Sequence, residues 1–309
     1  MASYEASAPG KVNLHLGVGE ARADGYHDLV SVFHAVDRRE TVRLICTGEP
    51  GEGPVVESMR TTFRVDRPDE DIDGPSNLAW RAVEEVARRA GVALPKVRIE
   101  VEKHVFVAGG MAGGSADAAA ALVAANALAT DHGAPPLDLG PLAAQLGADV
   151  PFSLMGGTAL GTGRGDELAP MLSRGRLHWV FVNPKVGINT GHAFSLLDDL
   201  RHTNPALVPH LDTAELARAL TAGDAPRVAA AMRNDLEHPA LQMRPQLARL
   251  LTAGNEAGLR AMVSGSGPTV AVLCSDGDHA RWVAEHLGEE FEGYEIFVAS
   301  GPDQGAVLH

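Results

Sequence analysis

Basic residues and cysteine are both scarce in this chain of 309 residues. Lysine and arginine together number 26 against 40 aspartates and glutamates, for a formal net charge of −14. An acidic surface repels phosphate backbones and anionic lipid, which argues against nucleic acid or membrane as a partner. It also requires that any polyanionic substrate be drawn in by a local positive spot. The only cysteines, Cys46 and Cys274, each lie in an apolar strand-like run. Two isolated thiols make neither a disulfide framework nor a zinc site, and they fit a reducing compartment. No apolar run is long enough to span a bilayer, and Met1 to Lys11 lack the basic and apolar regions of a signal peptide. A cytoplasmic protein is therefore expected. Lysine itself is reduced to Lys11, Lys96, Lys103 and Lys185 against a background of arginine and alanine, so each retained lysine invites scrutiny.

What is present is enough for one large or two ordinary domains, each with its own core. Residues 3 to 65 read as short strands: Tyr4–Ala8, Val12–Val18, Leu29–Val36, Thr41–Cys46, Val55–Met59 and Thr62–Val65. A polar loop at Asp69–Pro75 precedes a helix beginning near Asn77, with Ser76 as the expected N-cap. A helix at Leu137–Leu146 stops at Gly147. After about Pro170, strands at His178–Val182, Leu259–Val263, Thr269–Cys274 and Ile296–Ala299 interleave with helices at Thr190–Leu200, Ala214–Thr221, Arg227–Met232, Arg244–Ala257 and Gly277–Leu287. A β-rich first part and an α/β-interleaved second part predict an α+β chain of two domains, 1–171 and 172–309.

The most informative stretch is Val107-Ala108-Gly109-Gly110-Met111-Ala112-Gly113-Gly114-Ser115-Ala116-Asp117. It follows a strand in which Val97, Ile99 and Val101 alternate with Arg98, Glu100 and Glu102, and it precedes the helical run Ala118–Leu122. Glycines let the backbone approach an anion, and a helix N-terminus adds free N–H groups and the positive end of its dipole. This is chemistry for phosphate. The stretch lacks the lysine of a Walker loop and has the wrong glycine spacing for a dinucleotide fingerprint. Three further clusters join it: Pro9-Gly10-Lys11-Val12-Asn13-Leu14, Leu146-Gly147-Ala148-Asp149-Val150-Pro151 and Ser264-Gly265-Ser266-Gly267-Pro268-Thr269.

With these clusters in this order the chain resembles the GHMP-type small-molecule kinases, over nearly its whole length and least between about 200 and 225. The resemblance implies a two-domain fold, with a β-rich α+β N-terminal domain that carries the phosphate loop and an α/β-sandwich C-terminal domain. It also implies transfer of a phosphoryl group from ATP, with Mg²⁺, to a small-molecule alcohol. The stretch Arg22-Ala-Asp24-Gly25-Tyr26-His27 points within the family to a substrate that is a cytidine diphosphate conjugate. Two positions depart from the family pattern. Phe106 replaces a proline before the loop, which predicts a looser loop entry, and Ala116 replaces a second serine.

The resemblance makes Asp149 the base that takes the hydroxyl proton and Lys11 its cationic neighbour, where local sequence alone reads a turn aspartate and a surface lysine. Residues 107–116 would hold the ATP phosphates. Ser115 serves as an N-cap, as a hydroxyl on phosphate or magnesium, or as both. Lys103 and Asn77 are candidates for the adenine end, against a strand-edge charge and a first-turn polar residue. Tyr26, His27 and Phe194 would enclose the cytosine, since a pyrimidine stacks on aromatic rings and imidazole can read its polar edge. Asn13 orients substrate or satisfies backbone groups in its strand. Asp117 reads as a first-turn acid facing the helix dipole, and no residue stands out as a magnesium ligand. The rivals are a family member acting on mevalonate, phosphomevalonate, homoserine or a sugar, a non-catalytic nucleotide binder, and a dinucleotide oxidoreductase. The Tyr26-His27 stretch, the presence of Lys11 and Asp149, and the glycine spacing argue against them in turn.

Overall fold

The computed structural model describes residues 2–22, 26–66 and 71–309. Asp24 and Gly25 of the Tyr26-His27 stretch, and Asp69 of the polar loop, lie outside the described residues. In chain order the first half contains β1 (Ser3–Ala21), β2 (His27–Gly51), β3 (Val56–Phe63), α1 (Leu78–Ala90), β4 (Leu94–Lys103), α2 (Gly113–Asp131), α3 (Gly140–Leu146), α4 (Val150–Met155), β5 (Thr158–Thr162) and β6 (Glu167–Pro170). The second half contains β7 (Leu177–Asn183), α5 (Thr190–Thr203), α6 (Ala214–Ala222), α7 (Ala225–Ala231), β8 (Arg233–Asn234), α8 (Glu237–Met243), α9 (Leu247–Ala257), β9 (Arg260–Val263), β10 (Val270–Cys274), α10 (Gly277–Glu290), β11 (Glu295–Gly301) and β12 (Val307–Leu308).

Among the described residues the strands form two sheets. The larger runs β12-β1-β2-β4-β3, with β5 and β6 added at β2 and β8 at β1; the smaller is β11-β7-β10-β9. The short strands expected before residue 50 merge into β1 and β2, which pair antiparallel along most of their length. Pro9-Gly10 does not end a strand. It sits at a register shift in the β1–β2 ladder, where Asp37 and Arg38 of β2 form a bulge opposite it and β1 continues unbroken. Before the shift Ala6 and Ala8 pack with α1 and α2. After it Val12 and Leu14 join a cluster with Trp179 and Phe181 of β7. One strand thus serves two cores.

The alanine run explains α2. Ala118 to Ala121 are fully buried, so this helix is enclosed on all sides, and small side chains let it lie close to β1 and α1. The smaller sheet follows period-two patterning: Val180 and Val182 face α9 and α10, while Trp179 and Phe181 face the first sheet. The C-terminus returns to the first sheet as β12, antiparallel to β1. Arg39 clamps that return, donating to Asp303 Oδ2 at 2.6 Å, to the Gln304 carbonyl at 2.9 Å and to the Gly305 carbonyl at 2.7 Å. The expected boundary at residues 171/172 falls in the connection between β6 and β7.

Several local expectations are corrected. Asn77, not Ser76, caps α1, because its side chain accepts from the Ala79 N–H. Ser115 is the third residue of α2, whose cap position is Ala112 with no side-chain cap bond. The helix expected over Arg244–Ala257 is α9 alone, which begins at Leu247 after Pro245, and the short helices α8 and α4 carry too few turns to show in the pattern. Phe106 does not loosen the loop entry. It is buried, with its ring 4.6 Å from that of Phe297.

Candidate active site

The stretch of β1 that follows the register shift places Lys11 and Asn13 beneath the glycine loop. The Lys11 backbone N–H donates to the Met111 carbonyl at 3.1 Å, so strand and loop are joined directly. Within the loop Ala108, Gly110 and Ala112 all take positive φ, which folds the backbone back toward the start of α2. Gly110 requires its hydrogen: a Cβ there would stand 2.1 Å from the Ser264 carbonyl oxygen. The Ser264 hydroxyl donates to the Gly110 carbonyl at 3.1 Å, which brings the third glycine cluster onto the first.

These elements surround a cleft of about 370 Å³. Its walls include Lys11, Asn13, Ala108 to Gly110, Ala112 to Ser115, Asp149, Phe194 and Gly265 to Gly267. The N–H groups of Gly113, Gly114 and Ser115 open α2 here and have no intrahelical partner, as at any helix start. A larger cavity of about 640 Å³, bounded by His15, His210, Arg227 and Arg233 among others, contains none of the expected site residues.

Lys11 is 4% exposed, and its ammonium has three acceptors around it: Asn13 Oδ1 at 2.6 Å, the Gly110 carbonyl at 3.0 Å and Asp149 Oδ2 at 3.9 Å. Burial pushes the Lys11 pKa down, and the Asp149 charge works against that fall. Asp149 occupies the position before α4, yet its side chain makes no capping bond there. Its carboxylate faces the cleft, 35% exposed, beside a buried cation.

Asn13 neither satisfies its strand backbone nor points both polar groups at the cleft. Its Oδ1 accepts from Lys11, and its Nδ2 donates to Ser31 Oγ at 2.8 Å. Ser31 in turn donates to the His15 carbonyl at 3.0 Å. This chain sets the amide orientation of Asn13 and hence the position of Lys11. Ser31 was missed at the sequence level, because a lone serine in a strand carries no pattern. Pairing of β1 with β2 is what brings it there.

The remaining candidates are distributed unevenly. His27 is buried, stacked on Phe194 with ring centroids 5.3 Å apart, and its Nε2 lies 2.9 Å from Asp198 Oδ1. Phe194 lines the cleft, whereas Tyr26 is 61% exposed. Asn77 spends both ends of its amide on the cap and the Ile72 carbonyl. Lys103 is not at a strand edge: it is 2% exposed and held between Glu40 and Asp117. Asp117 is accordingly a buried ion-pair partner rather than a first-turn acid facing the helix dipole, since it is the fifth residue of α2. Among the described residues no cluster of three or more histidine, cysteine or acidic side chains is placed to hold a metal, and no helix is long and apolar enough to cross a membrane.

Residues 77–157 match the GHMP kinases N terminal domain and residues 216–293 the GHMP kinases C terminal domain. The chain is 45% identical over 307 residues to the 4-diphosphocytidyl-2-C-methyl-D-erythritol kinase of Corynebacterium efficiens, covering 97% of this chain and 94% of that protein. It is 47% identical over 310 residues to the protein of the same name from Thermobifida fusca, covering 99% and 98%. Among solved structures, a 4-(cytidine 5'-diphospho)-2C-methyl-D-erythritol kinase superposes with a TM-score of 0.72 at 33% identity, covering 96% of this chain and 99% of that one. A homoserine kinase from Cytophaga hutchinsonii superposes with a TM-score of 0.73 at 19% identity, a likeness of fold alone.

Proposed function

The chain belongs to the GHMP kinase family, and from that premise we propose that it transfers the γ-phosphoryl group of ATP to the 2-hydroxyl of 4-diphosphocytidyl-2-C-methyl-D-erythritol, a step in isoprenoid precursor synthesis. The near full-length identity to kinases of that name supports the substrate. The single observation that carries the chemistry is the convergence of Lys11, Asp149 and the start of α2 on one cleft.

The ATP phosphates rest on the N–H groups of the glycine loop and of the first turn of α2, where the helix dipole favours negative charge. The substrate hydroxyl lies against Asp149. As the new O–P bond forms and the bond to ADP breaks, the hydroxyl proton passes to the Asp149 carboxylate. Lys11, its ammonium held by Asn13 Oδ1 and the Gly110 carbonyl, faces Asp149 and offsets charge on the transferring group. The cytosine is taken between Tyr26 and Phe194, with His27 at its polar edge, so that binding energy far from the reaction positions the hydroxyl.

Magnesium keeps several of its waters and takes only one or two protein oxygens beside nucleotide phosphates. Ser115 lines the cleft next to the phosphate loop and would supply one such oxygen, while the Asp149 carboxylate, beside the Lys11 ammonium, is left to the substrate hydroxyl. When bound, the ion would neutralise phosphate charge. We place the domain boundary at residues 171/172, consistent with family matches that fall on either side of it.

The test is ADP release by the purified protein with ATP and Mg²⁺ over a panel of alcohols. Turnover of 4-diphosphocytidyl-2-C-methyl-D-erythritol is expected. Turnover of mevalonate or homoserine without turnover of the conjugate would refute the assignment.

A further inference from the structure

Lys103, Glu40 and Asp117 come from β4, β2 and α2, and none of them lines the cleft. Lys103 Nζ lies 2.8 Å from Glu40 Oε1 and 2.7 Å from Asp117 Oδ2, with all three side chains at 3% exposure or less. Charges so far from water are retained only when their partners are well placed. Their location is what gives them a role. Glu40 Oε2 accepts from the His104 N–H at 2.8 Å and Oε1 from the Val105 N–H at 3.3 Å, which are the first peptide groups of the loop. Asp117 belongs to the opening turns of α2, where the loop ends. A Cβ on Gly113 would stand 3.0 Å from Glu40 Oε1 and 3.1 Å from Lys103 Nζ, so the triad lies directly beneath the first residue of the helix.

We infer that this buried triad is a positioning device for the phosphate loop, tying its entry at residues 104–105 to its exit at the start of α2 so that its N–H groups converge on the nucleotide. The inference rests on the kinase reading above and assigns these three residues to ATP alone. Between the two anchors the backbone carries Ala108 and Ala112 at φ of 52° and 57°, a conformation that non-glycine residues resist. A loop of this kind keeps its shape only if its ends are held. Lys103 acts through the helix: two of its protons are given to carboxylates, and Gly113 lies between it and the cleft.

The test uses Glu40→Gln, Asp117→Asn and Lys103→Met in the full-length chain, with a non-hydrolysable ATP analogue and the cytidyl conjugate titrated separately and the melting temperature recorded. Each variant should weaken the analogue by about tenfold or more while leaving the conjugate within about twofold. Charge makes the two amide variants decisive. Removing a carboxylate beneath an anion site by itself tightens the anion, so a loss reports geometry. If Lys103→Met fails to fold, the near-isosteric Asp117→Asn carries the test. Folded Glu40→Gln and Asp117→Asn proteins with unchanged or tightened nucleotide affinity would overturn the inference. So would a loss confined to Lys103→Met, which would mean direct contact with nucleotide. A wild-type protein that binds the conjugate but no ATP analogue would refute the kinase reading first, and the inference with it.

Discussion

Lys11 Nζ and Asp149 Oδ2 stand 3.9 Å apart, the lysine sealed in the protein and the aspartate open to the cleft. The separation leaves the carboxylate free of a tight ion pair while the cation still acts on it. Asp149→Asn keeps the size and removes the proton acceptor, so kcat should fall by about 10²–10⁴-fold with ATP affinity little changed. Lys11→Met should also lower kcat. The double variant should lose less than the product of the two single losses, because the pair works as a unit. Steady-state kinetics with separate nucleotide binding checks this, and a normal kcat in Asp149→Asn would remove the residue from the mechanism.

Ser31 acts on Lys11 through Asn13. Ser31→Ala leaves the Asn13 Nδ2 without its acceptor, so the amide whose Oδ1 holds the Lys11 ammonium is less firmly placed. The expected result is a fall of about tenfold in kcat with an unchanged KM for ATP. Ser31→Thr, which keeps the hydroxyl, should recover part of the loss. Equal activity in Ser31→Ala would show that Asn13 holds its orientation without help.

Phe194 and Asp198 share one face of α5, and the first stacks on the His27 ring that the second holds at Nε2. Phe194→Ala and Tyr26→Ala should weaken the cytidyl conjugate far more than ATP. Asp198→Ala should do the same through a loosened His27. Equal losses for both ligands would make these residues structural.

Gly110 and Gly114 lie in one loop and should respond differently to a methyl group. At Gly110 φ is +79° and the Cβ would meet the Ser264 carbonyl at 2.1 Å. Gly110→Ala should therefore cost about 2 kcal/mol or more of stability and most of the activity. At Gly114 no atom lies within 4 Å of the Cβ position. Gly114→Ala should unfold in urea as the wild type does. A wild-type urea midpoint in Gly110→Ala would mean that the loop relaxes without cost.

His34 is fully buried, and burial lowers its pKa to about 4. Its folded value lies below the unfolded value, so the folded state holds the ring neutral while the unfolded state protonates below about pH 6.5. Stability from this residue is present above pH 6.5 and is lost as pH falls toward 4. The total is of order 3 kcal/mol. His34→Gln, which keeps a polar group near Thr158 Oγ1, should flatten that part of the pH–stability curve relative to wild type. Parallel curves for the two proteins would show that His34 does not drive it.

Short-range pattern alone determines much of this protein. The alternation of Val97, Ile99 and Val101, the glycine run before the alanine helix and the period-two pattern at His178–Val182 are local consequences of backbone geometry, and the elements stand where the pattern put them. The glycine loop, Lys11 and Asp149 could be singled out because their neighbours in the chain are distinctive. Pairing could not be read in this way. Which strands fuse across Pro9-Gly10, which serine meets Asn13, and which carboxylates enclose Lys103 depend on register between segments distant in sequence. Local residues leave that register open, and packing of the two ends of β1 into different cores settles it. Lys103 and Asp117 show the difference most clearly. Beside their sequence neighbours they read as a strand-edge charge and a first-turn acid, and burial against Glu40 makes them one ionic unit, because a charge withdrawn from water must find its partner wherever the fold provides one.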